Sequence, residues 1–244
     1  MATMVITPAA VSAERRFYSG TALAILLAVV VGFSRTFFLR PLFPGAASPS
    51  EAIFYVHGTV ATAWLVLFVV QTRLVATGHV RTHRRLGLVG AALAVLMVVL
   101  GAWGALIAAS RATGFVGVPV PPLRFLVVPL FDVALFGLFV ALAIARRRDL
   151  PAHKRWMLLG TINLLPAAIA RWPGVAGGGP IAFLALTDLF IVALAVHDLR
   201  SRGRLHPVTL WGGLLLIASQ PGRLALSGTD AWLAFAQWAT RGVA

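Results

Sequence analysis

Apolar residues gather into seven long runs along this chain, near residues 17–38, 52–74, 86–109, 123–145, 154–172, 180–198 and 207–226, each closed by Arg, Pro, Gly or a polar cluster. Each run approaches the roughly 20 residues with which an α-helix crosses a bilayer core. Lipid offers the backbone no hydrogen-bond partners, so the runs read as helices. The pattern predicts an all-α fold, a polytopic membrane bundle of seven transmembrane helices. Spans and short connections fill residues 1–244 as a single transmembrane domain.

The polar positions between the runs are strongly asymmetric. The second, fourth and sixth runs end in basic loops carrying Arg81, Arg84 and Arg85, then Arg146, Arg147, Arg148, Lys154 and Arg155, then Arg200, Arg202 and Arg204. With Arg15 and Arg16 they define one face, cytoplasmic by the positive-inside rule, which puts the N-terminus inside and the C-terminus outside. Trp156 and Trp211 fall near that boundary and Trp103 and Trp172 near the other, as in interfacial aromatic belts. After the seventh run, Thr229 and Asp230 start a short helix with Trp232, Phe235, Ala236 and Ala239 on one face, suited to lying in the outer interface.

Composition agrees with this picture. The chain is 59% hydrophobic and 11% charged, against about 25% charged for soluble domains. The net charge of +14 resides in loops between apolar spans, so it reads as topology and lipid anchoring, not nucleic-acid binding. Absence of cysteine excludes disulfides and thiolate chemistry. Arg used almost to the exclusion of Lys, with abundant Ala, suggests a GC-rich bacterial genome.

Several strongly polar side chains fall inside the runs, where their desolvation is costly and a functional role is the default hypothesis. His57, Asp132, Asn163, Arg171, Asp188, Gln220 and Arg223 form the candidate ligand-binding set, with Arg35 approaching from the first span. Pro129, Pro166 and Pro221 lie beside them, and each frees a backbone carbonyl four residues earlier. Kinked helices beside interior charges suit a cavity for a small-molecule ligand. The competing reading pairs Asp132 and Asp188 with Arg35, Arg171 or Arg223 as structural locks.

A second set lies at the basic edge. His83, His153 and His206 each begin a return helix after a basic loop, giving one helix followed by three similar hairpins. Neutral imidazoles from three hairpins at one depth can coordinate a transition metal or act as haem ligands. Their arginine neighbours disfavour a further cation, and the plainer role is capping helices or touching headgroups. The third span carries Gly87, Gly90, Ala91, Ala94, Gly101, Ala105 and Ala108 at helical spacing, a stripe that admits close approach of another helix. Facing outward, it would serve a homo-oligomer or an assembly partner.

His79 to Gly87, with His83-Arg84-Arg85-Leu86-Gly87 at its end and His57-Gly58 and Gln71 before it, resembles an uncharacterised family of bacterial multi-pass membrane proteins sharing a His-Arg-x-Leu-Gly turn. The likeness extends over most of the chain. It implies a bundle in the bacterial inner membrane and no particular activity. Two functions are therefore expected: binding or transport of a small ligand in the interior, or a metal- or haem-dependent oxidoreductase or hydrolase at the edge.

Overall fold

The computed structural model describes residues 8–175 and 178–243, and the described residues are helical without strands. In chain order the helices are α1 (Pro8–Phe33), α2 (Ala52–Ala76), α3 (Val80–Ser110), α4 (Pro122–Phe125), α5 (Val127–Ala145), α6 (Leu150–Ile162), α7 (Leu165–Ile169), α8 (Gly179–Arg202), α9 (Pro207–Ser227) and α10 (Asp230–Ala239). A π-helical turn, Ser34–Phe38, widens the end of α1, with the Leu39 amide donating to the Ser34 carbonyl at 2.7 Å.

Five segments among the described residues are long and apolar enough to cross a membrane: Ser12–Phe38, Ala52–Ala76, Val80–Ser110, Pro122–Ala145 and Gly179–Arg202. Many of their Leu and Val side chains point outward, the arrangement lipid stabilises. The fifth expected span is divided into α6 and α7, and the seventh, α9, is not among the five. The division follows the sequence. Pro166 has no N–H for the Ile162 carbonyl, and the Leu164 amide bonds the Thr161 carbonyl three residues back.

The broken helix lies at the centre. Leu158, Leu159, Ile162, Leu165, Ala168 and Ile169 are fully buried, packed among α1, α5, α8 and α9. At the α1–α7 crossing a Cβ on Gly32 would lie 2.2 Å from the Ala168 carbonyl oxygen, so only glycine allows the two backbones to meet. The small-residue stripe faces inward in part: Ala94, Ala105 and Ala108 are buried where α3 packs on α2 and α5, whereas Gly87 is exposed. The burial of these three positions counts against an assembly-partner role for that part of the stripe.

The tail forms the expected short helix, but its expected apolar face is divided between a buried contact and the surface. Thr229 caps α10 by accepting from the Trp232 amide at 3.1 Å. Trp232 and Ala236 pack into a small second core with Leu126 and Val127, leaving Phe235 and Trp238 exposed. Trp103 and Trp211 are exposed, whereas Trp156 packs on Phe139 and Trp172 donates to the Ala28 carbonyl at 3.0 Å.

Candidate functional site

Helix α9 organises the interior polar groups. One turn apart it carries Gln220 and Arg223, and neighbouring helices supply a carboxylate to each. Arg223 Nη1 donates to Asp132 Oδ1 of α5, and Gln220 Nε2 donates to Asp188 Oδ1 of α8 at 2.9 Å. Asn163, at the break between α6 and α7, donates from Nδ2 to the Asp132 carbonyl at 2.7 Å. Arg223 also reaches Ser219 Oγ at 3.1 Å and stands over the Phe131 ring at 5.9 Å.

Five of the seven expected residues therefore join two linked pairs around α9. Breaking a buried ion pair from one side costs about 3–5 kcal/mol, because the remaining charge is uncompensated. Arg223, only 5% exposed, meets that condition more fully than Asp132, whose side chain is 19% exposed. The Arg223 Nε is buried without a partner, so the site retains an unspent donor.

The other two residues lie apart. His57 packs between α2, α3 and α5 against Gly101, with its Nδ1 buried and unpartnered. Arg171 turns toward the Ala167 carbonyl and the Phe33 ring, 4.7 Å away. Arg35 stands over Phe43 at 5.2 Å, outside both pairs.

At the basic edge the three histidines separate. His83 and His153 meet edge to face with ring centroids 6.4 Å apart, and His153 Nδ1 lies 2.8 Å from the Ala143 carbonyl. His206 instead caps α9, its Nδ1 accepting from the Val208 amide at 3.0 Å. Burial and the nearby Arg155 and Arg202 push the His206 imidazole below its ordinary value. Among the described residues, no three His, Asp or Glu side chains form a metal-binding group.

The most deeply buried charges are a pair outside the expected set. Arg155 and Asp198 are essentially inaccessible and joined through Arg155 Nε and Nη2. Asp198 Oδ2 also accepts from Thr209 Oγ1 at 2.6 Å and from the His206 amide at 3.0 Å. This fastens α6, α8 and the start of α9 together. Arg155 resembles its neighbours in a basic loop, but Leu158 and Leu159, three and four residues on, mark its face as internal.

These features define a helical membrane protein with paired charges at a central broken helix. The chain matches no protein-family model, no curated protein and no solved structure.

Proposed function

We propose that this chain is a seven-span bundle of the bacterial inner membrane, with its N-terminus and basic loops cytoplasmic and its C-terminus outside, that binds and moves a small polar ligand. The observation supporting this reading is the presentation of Gln220 and Arg223 to two carboxylates beside the α6–α7 break. Interrupted helices at membrane depth are sites where backbone and ligand satisfy one another. A zwitterion suits the Asp132–Arg223 pair best. Its anionic end replaces Asp132 on Arg223 while its cationic end takes Asp132, so neither protein charge is left unpaired.

The test uses purified protein, a panel of zwitterionic amino acids and their singly charged analogues, read by equilibrium dialysis and by uptake into proteoliposomes. At least one zwitterion should bind, with affinity falling tenfold or more in R223Q and in D132N. Absence of binding across the panel, or equal binding by both variants, defeats the proposal.

A second reading, a metal- or haem-dependent oxidoreductase or hydrolase, now rests on the approach of His83 and His153. A Soret band or stoichiometric metal in the same preparation, lost in H83A and H153A, would favour it over the ligand reading.

A further inference from the structure

A separate cavity of about 270 Å³ lies between the beginning of α1 and the end of α2. Its polar lining comprises Ser12, Arg15, Arg16, Ser19, Arg73 and Thr77. Helical spacing explains the cluster, since residues 12, 15, 16 and 19 share one face of α1 and residues 73, 76 and 77 close the last turn of α2. Arg15 and Arg16 precede the apolar part of α1 and Arg73 lies in the last turn of α2, so on the proposed topology, on which this inference rests, the cavity falls at headgroup depth.

The lining is rich in unused donors. Arg15 Nη1 donates to the Ala76 carbonyl at 3.1 Å and Arg16 Nη1 to Ser12 Oγ at 2.6 Å, leaving most of the five N–H groups on each guanidinium available. Among the described residues none of the three arginines is within ion-pair distance of a carboxylate. Glu14, although adjacent to Arg15, pairs with Lys154 at 2.6 Å. Ser19 lines the same cavity, is 91% buried (relative exposure 9%), and its hydroxyl has no hydrogen-bond partner.

We propose that this cavity binds a phosphate group, held by Arg15, Arg16 and Arg73 and by the Ser19 hydroxyl. Guanidinium forks match phosphate oxygens in geometry and charge. The space of about 270 Å³ has room for a phosphate with a short polar ester. The carrier is either an anionic lipid headgroup at this depth or a free phosphate ester, and the chemistry of recognition is the same for both.

Calorimetric titration of the full chain in neutral detergent tests the site, with short-chain phosphatidic acid, glycerol 3-phosphate and inorganic phosphate as probes. The variant R15Q/R73Q should bind phosphatidic acid at least tenfold more weakly. R147Q/R148Q removes the same charge from a different loop and should lose less than twofold. S19A should lose roughly threefold or more, and it remains readable if the double variant does not fold. Binding confined to phosphatidic acid identifies the lipid as the source, whereas comparable binding of glycerol 3-phosphate or phosphate identifies a soluble ester; either supports the site. Equal losses in the two double variants, an unchanged S19A, or no saturable binding of any probe overturns it.

Discussion

Asp198 accepts the amide of His206 while the His206 ring accepts the amide of Val208, so two consecutive bonds secure the start of α9. The second requires an unprotonated Nδ1. Asp198 and Asp149 favour the imidazolium, but burial, Arg155 and Arg202 together outweigh them. The unfolded chain has the ordinary histidine value of 6.5, so as pH falls it takes up this proton before the folded chain does. Stability from His206 is therefore complete above 6.5 and is lost as pH falls toward the lower folded value. H206N retains a capping acceptor without titrating. Melting measured between about pH 8 and pH 5 should show a steeper acid loss for the native chain than for H206N. Parallel curves would mean that His206 carries no such linkage.

Helix α1 illustrates how an element's contacts decide the effect of one methyl group. At Gly32 an added Cβ meets the backbone of Ala168, which cannot move aside without displacing the broken helix. At Gly20 nothing lies within 4 Å. G32A should thus destabilise by about 1–3 kcal/mol, the usual penalty for overpacking. G20A should be neutral or gain up to ~1 kcal/mol from helix propensity. Equal melting temperatures for the two variants would show that α1 and α7 do not meet as described. The helices themselves are legible in hydropathy, and α2 begins at residue 52 as the pattern predicts. The start of α3 is less so, because His83, Arg84 and Arg85 read as loop yet form its first turns, where long basic side chains can extend to the interface. Pairing is harder still. Spacing puts Gln220 and Arg223 on one face, but the choice of Asp132 for one and Asp188 for the other depends on helix packing. Arg155 was hidden because its charge resembles its neighbours' and only its burial differs.

For the whole molecule, the number of crossings decides which loops share a side. Leu150 to Ile169 extends over about 20 residues, enough for ~30 Å if α6 and α7 stack end to end, and its fully buried residues place it inside the bundle. If both this pair and α9 cross, positions 147 and 204 face one side and positions 173 and 241 the other. If neither crosses, 173 joins 147 while 204 moves across; if only α9 fails to cross, 241 joins 147. The absence of native cysteine makes these arrangements directly measurable. R147C, P173C, R204C and R241C, introduced one at a time and labelled with a membrane-impermeant maleimide on sealed vesicles, should divide as 147 with 204 and 173 with 241. Labelling of 173 from the side of 147 would remove the central crossing. The Asp132–Arg223 pair would then have no spanning broken helix beside it, and the proposed ligand path would lose its physical basis.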